Sequence, residues 1–438
     1  MTIQSVISVP SARRLITSLR DLGYGFVDAV AEMIDNSIEA GANFIQVGVT
    51  FNGDDSYLLV MDNGRGMTSL EIQEAMKFGS TRKYDRYDLG RFGLGLKTAS
   101  LSQCDELIVS SRQGLQRARI NSFMWSMNHI NKSDRWEILK VQSDVLPPEV
   151  LSHLGNTVGT AVCWRKLSRL MGYRWPTGKH AEREAKRIVS DLRMGLGATF
   201  HRFLSGEVVG KRIGIFVNGE PVEPWDPFCR ANDKTDALAL FQVPMSWGER
   251  NEVIVFHPFV LPISKSFSSP QEFIRAGGLR KWNKQQGFYI YRAGRLIQAG
   301  GWSGLRTADE HTKLVRVAVD IPPYMDEAFK VNISKMRVSI PREVREKILD
   351  HLATVIKIGQ EKYRANSHDI LTKVTFGIDQ KQLDHFASEF GFDAGRLEKF
   401  LTAIADAMGP IERMTLLRGL RRYFNQSCET TVSKNRVA

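Results

Sequence analysis

The sequence predicts an α+β fold in which two strand-bearing regions are joined by a long helix. Three observations carry this. Apolar residues at helical spacing over 27–40 give way at once to strand-like runs, and such runs recur on both sides of a helical stretch over 179–204. The composition, 42% hydrophobic and 25% charged over 438 residues, is that of a globular chain. At roughly 150 residues per domain, this length holds two or three domains with ample core.

In chain order, Val27, Val30, Ala31, Ile34 and Ile38 recur at three and four, the signature of an amphipathic helix whose other face is acidic and polar. A strand is expected over 44–51, a turn at Gly53-Asp54-Asp55, and a second strand over 57–61 that runs into Asp62-Asn63-Gly64. Further strands over 106–111, 117–121, 136–141 and 160–166 would make a largely antiparallel sheet. After the helix over 179–204, a hairpin is expected over 213–222, where Asn218-Gly219 is a strong turn signal. Strands follow over 253–259, 287–297 and 314–321, with a loop-rich insertion over 262–286. Residues 342–363 read as a helix and 376–424 as two or three short ones. The expected domains are therefore 1–175 with an N-terminal arm, 176–345, and a helical region over 346–438.

Sixty Lys and Arg against 48 Asp and Glu leave a net charge of +12, so an acidic partner is in reach. Cysteines at 104, 163, 229 and 428 show neither a Cys-x-x-Cys pair nor zinc spacing, which argues against a zinc module or a disulfide framework and fits a cytoplasmic protein. No apolar run approaches the roughly 20 residues that span a bilayer. A membrane role is therefore not expected.

Three segments carry chemistry. On the helix after Val27, Glu32 and Asn36 are four apart, so a carboxylate that can activate water sits one turn from a carboxamide that can hold a hard cation such as Mg²⁺. A strand then ends at Asp62-Asn63-Gly64-Arg65-Gly66-Met67, where Gly64 and Gly66 permit a tight turn and Asp62 can accept from a base amino group. Finally, Gly90-Arg91-Phe92-Gly93-Leu94-Gly95-Leu96-Lys97 opens a helical run, with bare backbone N–H groups that suit phosphate oxygens. It is not the usual P-loop, because Leu96 separates the last glycine from Lys97. Taken singly, these segments also read as a solvated helix face, a hairpin turn and an unliganded loop.

Their order within 70 residues decides between the readings. Glu32-x-x-Asp35-Asn36-Ser37, Asp62-x-Gly64-x-Gly66, Gly90-x-x-Gly93-x-Gly95-x-Lys97 and Gly159-Thr160 resemble the four nucleotide-binding motifs of the GHKL ATPases, the superfamily of gyrase B subunits, MutL, 90-kDa heat-shock chaperones, sensor histidine kinases and MORC proteins. The resemblance spans roughly residues 15–170 and is closest to prokaryotic MORC-like members. It implies a Bergerat-type α/β sandwich followed by an S5-like transducer domain and a short helical C-terminal region. It also implies ATP and Mg²⁺ as ligands, Glu32 as general base, Asn36 as the Mg²⁺ ligand and Asp62 as the adenine-reading carboxylate. Gly66 and Met67 would shape the base pocket, Thr160 would support Asp62 through a water, and Gly90 to Lys97 would offer amides to the phosphates. Ser80 and Lys83 are further ligand candidates in the lid segment. In the transducer, Lys335 is the candidate cation for the γ-phosphate, with Lys330 as fallback.

The surplus charge is concentrated. Between residues 165 and 212, twelve basic residues face four acidic ones. Arg165, Lys166, Arg169, Arg174, Lys179, Arg183, Lys186 and Arg187 are the candidate contacts to a nucleic-acid backbone, and a solubilising helix face is the plainer alternative. The expected function is a Mg²⁺-dependent ATPase that dimerises on ATP binding and clamps DNA, with residues 1–25 as an arm toward the partner subunit. The rivals are an ATP-driven chaperone or scaffold on a protein client, engaged through the C-terminal region, and the ATPase subunit of a prokaryotic defence system.

Overall fold

The structure is a computed structural model that describes residues 8–21, 23–79, 93–114, 119–170, 177–248, 250–278, 280–332 and 338–376, with isolated positions between 384 and 397. The first half runs α1 (Ala12–Arg20), α2 (Phe26–Glu39), β1 (Phe44–Thr50), β2 (Tyr57–Asp62), α3 (Ser69–Met76), α4 (Gly95–Leu101), β3 (Glu106–Arg112), β4 (Asn121–Ser126), α5 (Met127–Ser133), β5 (Leu139–Lys140), α6 (Pro148–Asn156) and β6 (Gly159–Arg165). It continues through α7 (Lys179–Thr199), α8 (His201–Leu204), β7 (Gly214–Val217) and β8 (Glu220–Pro221).

Eight strands form one sheet in the order β5-β4-β3-β6-β2-β1-β7-β8, antiparallel except where β7 joins β1 in parallel. β3 and β6 are buried along nearly their whole length because both faces are covered. On one face Val47, Val60, Leu107, Val109 and Trp164 pack under α1, α2, α4, α7 and α8. On the other, Leu59, Met61, Ile108 and Cys163 meet Val150 and Leu154 of α6. The sheet thus takes β7 and β8 from beyond the expected boundary at residue 175. The hairpin at Asn218-Gly219 is where the sequence places it, but it closes the first sheet instead of opening the second.

α1 lies in the stretch expected to reach toward a partner as an arm. It packs on its own chain, with Ala12 and Ile16 fully buried, its Ser11 cap bonded to Asp134 and Arg20 paired to Asp105 at 2.6 Å.

The second half comprises β9 (Asp236–Ala237), β10 (Phe241–Trp247), β11 (Arg250–Val260), α9 (Pro270–Ala276), α10 (Lys281–Lys284), β12 (Gly287–Arg292), β13 (Arg295–Ala299), β14 (Val315–Ile321) and α11 (Arg342–Phe376). Its sheet is ordered β10-β11-β14-β12-β13, with β9 on β11, and α11 buries Val344, Ile348 and Leu352 in its core. The single strand expected over 287–297 is a hairpin. Ala293 and Gly294 form its turn with φ of 49° and 83°, which aims Arg295 back toward the first half. Among the described residues, no helix is long and apolar enough to cross a membrane.

Candidate active site

α2 builds the first wall. Its apolar stripe, including Val30, Ile34 and Ile38, is buried against the sheet, which fixes the rotation of the helix. Glu32 and Asp35 then point inward, 5% and 1% exposed, while Asn36, one turn past Glu32, stays open to solvent. Glu32 Oε2 lies against the backbone of Gly95 at the start of α4, so close that a Cβ there would come within 2.6 Å of it. The other oxygen, Oε1, accepts from Arg295 Nη1 at 3.2 Å, and the same nitrogen is 2.9 Å from Asp35 Oδ2. Asp28, one turn earlier, is pushed up by burial and held back by the cations of Arg295 and Arg280.

Asp62 ends β2 in a fully specified nest. Its Oδ1 accepts from the Gly64 N–H at 2.9 Å and the Thr160 N–H at 3.2 Å, and its Oδ2 accepts from the Ser37 hydroxyl at 2.8 Å. A carboxylate has about four acceptor sites, so these bonds leave one, on Oδ2. Burial pushes the Asp62 carboxyl up from its ordinary value, against the pull of those three donors. His153 Nε2–H donates to the Asp62 carbonyl at 2.8 Å and pins the strand end from the opposite face. Thr160 supports Asp62 through its own N–H, and its hydroxyl lies 3.0 Å from Ser111 Oγ. Ser111 also accepts from the Met67 N–H at 2.8 Å, which ties the turn of the Asp62 motif to β3.

Gly66 is required here. Its φ is +67°, and a Cβ would lie 2.1 Å from the Arg112 carbonyl oxygen. Gly66→Ala combines left-handed strain with overpacking and is expected to cost roughly 2–5 kcal/mol of stability, read as a fall in the thermal midpoint. A wild-type midpoint would contradict the assignment.

Of the glycine-rich run, Gly93 and Leu94 precede α4 and Gly95, Leu96 and Lys97 open it. No described side chain caps this helix start. Lys97 turns away from it. The residue is 2% exposed, and its ammonium donates to the carbonyls of Ala75, at 2.9 Å, and Gly93, while its N–H is taken by the Leu94 carbonyl. Burial pulls its pKa down to about 8. Lys97 thus holds the loop to α3 and offers a ligand neither group. Ser80, Lys83, Gly90, Arg91, Phe92, Arg174 and Lys335 lie outside the described residues.

Residues 24–160 match the family model of histidine kinase-, DNA gyrase B- and HSP90-like ATPases, a stretch that takes in Glu32, Asn36, Asp62, the Gly93–Gly95 turn and Thr160. These residues form a GHKL-type ATPase domain. The chain is 37% identical over 89 residues to Protein MICRORCHIDIA 6 of Arabidopsis thaliana, a match covering 19% of this chain and 13% of that protein. It is 31% identical over 99 residues to ATPase morc-1 of Caenorhabditis elegans, covering 22% and 12%. It is 28% identical over 113 residues to the DNA mismatch repair protein MutL of Thermosipho africanus, covering 25% and 20%. The chain thus spans 12–20% of the length of these relatives.

The GHKL frame fits the donor chemistry. Mg²⁺ typically takes one or two protein oxygens plus substrate phosphates, and the exposed Asn36 carboxamide, one turn from Glu32, would supply one such oxygen. No group of three or more His, Cys, Asp or Glu that could hold a metal on its own occurs among the described residues.

The basic stripe is more neutralised than its sequence implies. Lys166 pairs with Glu106 at 2.5 Å and Arg165 with the same carboxylate at 3.7 Å, while Arg169 pairs with Asp21 at 2.9 Å. On α7, Lys186 meets Glu182 at 2.9 Å, and Arg187 meets Glu184 at 2.8 Å and Asp191 at 3.5 Å. Lys179 and Arg183 are exposed and pair with no described carboxylate. Arg295, Ser111 and His153 had no candidate role in the sequence, and Ser37 stood in the first motif without one. The partners of the first three are 48 to 263 positions away, so no local spacing marks them.

Proposed function

We propose that the protein binds ATP with Mg²⁺ between α2 and the Gly93–Gly95 turn, hydrolyses it with Glu32 as general base, dimerises on ATP binding, and uses this cycle to clamp DNA. The observation that carries the reading is the placement of Glu32. Its Oε2 faces the start of α4, where phosphates would lie, and Asn36, one turn along α2, is exposed to solvent. Mg²⁺ on the phosphates would neutralise developing charge, with Asn36 holding it. Asp62 keeps one acceptor site for the adenine amino group, and Gly64, Gly66 and Met67 shape that pocket. The second sheet with α11 serves as an S5-like transducer, and Lys335 is its cation for the γ-phosphate.

The DNA assignment rests on the exposed basic face of α7 and on the likeness to a DNA mismatch repair protein. Surface ion pairs are worth about 0–1 kcal/mol, so phosphates can displace the carboxylates from Lys186 and Arg187. A protein client is the second reading, favoured by those same ion pairs. Salt-titrated binding to duplex DNA separates them: a log-log slope of several units supports the clamp on DNA, and no binding near 50 mM salt supports the client. Light scattering of Glu32→Ala tests dimerisation. An ATP-dependent dimer is expected, and a monomer at saturating ATP sinks the clamp.

A further inference from the structure

The GHKL-type domain does not contain everything that orders its carboxylates. Arg295 stands on β13 of the second sheet, just past the Ala293-Gly294 turn, and reaches Glu32 across 263 positions of sequence. The hairpin tip is seated against the first half, since a Cβ on Gly294 would lie 2.5 Å from Val208 Cγ2. The Arg295 side chain is 3% exposed and its guanidinium lies 5.9 Å from the Phe200 ring centre. It is buried with Glu32 and Asp35, and Asp28 lies on the same side of α2 at i, i+4, i+7. Carboxylates in such a place need a cation, because an unpaired buried charge is costly.

We propose that Arg295 is a positioning residue for ATP hydrolysis: by holding Glu32 Oε1 it leaves Oε2 facing the Gly95 turn, so the second sheet sets the aim of the base. This inference rests on the reading of Glu32 as general base. The physical reason is geometric. A carboxylate on a side chain with three rotatable bonds can present either oxygen in several directions, and one anchored oxygen removes that freedom. Misplacement of a reacting group by about 1 Å costs on the order of 10²-fold in rate. The anchor also gives the transducer a direct hold on the base, since any shift of the β12–β13 hairpin moves Arg295. This contact is to the base, and so differs from the γ-phosphate contact assigned to Lys335.

The experiment uses the full chain and four proteins: wild type, Arg295→Ala, Arg295→Lys and Glu32→Gln. Each is measured for phosphate release at saturating ATP, for affinity toward a non-hydrolysable ATP analogue, and for thermal midpoint. Arg295→Ala is expected to lose about 100-fold in kcat with analogue affinity within about threefold of wild type. Arg295→Lys is expected to lie between the two, about tenfold below wild type, because both contacts leave from one nitrogen and a lysine supplies that charge with looser geometry. Should Arg295→Ala fail to fold, Arg295→Lys decides alone. A folded variant of either kind with wild-type kcat overturns the proposal while Glu32→Gln remains inactive, and so does a loss that falls on affinity instead of kcat. Wild-type turnover in Glu32→Gln would instead remove the reading of the base on which the proposal rests.

Discussion

Replacing Glu32 with Gln is expected to lower kcat for ATP by roughly 10²–10⁴-fold while leaving nucleotide affinity within about threefold. Glutamine keeps the shape of the side chain and an oxygen for the Arg295 N–H to reach at the 3.2 Å position. What it loses is the lone pair that would take a proton from water on the Gly95 side. General-base contributions of this size correspond to about 3–5 kcal/mol in the barrier. In the proposed reading adenine and phosphates are bound by other groups, above all Asp62 and the amides at the start of α4, so the ground-state complex is expected to persist. Phosphate release at saturating ATP measures the first quantity and calorimetric titration with a non-hydrolysable analogue the second. If hydrolysis is what reopens the dimer, this variant should also accumulate as an ATP-bound dimer under conditions where the wild type cycles. Hydrolysis at the wild-type rate would remove Glu32 from the chemistry, and lost binding would show that it acts in the ground state.

The parts of this site legible in the sequence are those held by local spacing. Glu32 and Asn36 are one helical turn apart, and the apolar residues that rotate α2 are in the same window. Asp62 sits at the end of an apolar run with its glycines beside it. What the sequence hid is non-local. Arg295 belongs to a run that reads as one strand because Ala293-Gly294 is a weaker turn signal than Asn-Gly, yet both residues adopt positive φ and fold it into a hairpin. β10 alternates buried and exposed residues over Phe241–Trp247 but contains Pro244, which obscures a strand. The strand expected over 117–121 begins at Asn121, because pairing with β3 in register Ser111–Asn121 sets its start. The hairpin of β7 and β8 was locally plain, but its parallel partner β1 lies some 170 residues earlier, and nothing in its own pattern names that sheet. The charge stripe shows the same limit: residue counts locate the cations, and only the fold shows that Glu106, Asp21 and the carboxylates of α7 already answer many of them.

Asp62→Asn is expected to weaken ATP binding by roughly 10–100-fold and to narrow the preference for ATP over inosine triphosphate. The carboxylate accepts three bonds from the protein, and its remaining acceptor site is on Oδ2. Because Oδ1 must accept from two backbone N–H groups, an asparagine is forced to keep its oxygen there and to place its amide nitrogen at the Oδ2 position. That nitrogen can no longer accept from the adenine amino group, and two donors would face each other in a buried pocket. Losing a hydrogen bond to a charged group costs about 1.5–3 kcal/mol, which is the stated range in affinity. Hypoxanthine carries a carbonyl where adenine carries its amine, so the same amide donor suits inosine triphosphate, whose binding should improve relative to ATP. The Ser37 hydroxyl can turn to accept from the new nitrogen, so the fold survives and the thermal midpoint should fall only modestly. Competition titrations with both nucleotides read the outcome. An equal loss for ATP and inosine triphosphate would mean that Asp62 shapes the pocket without reading the base, and unchanged ATP affinity would place adenine elsewhere.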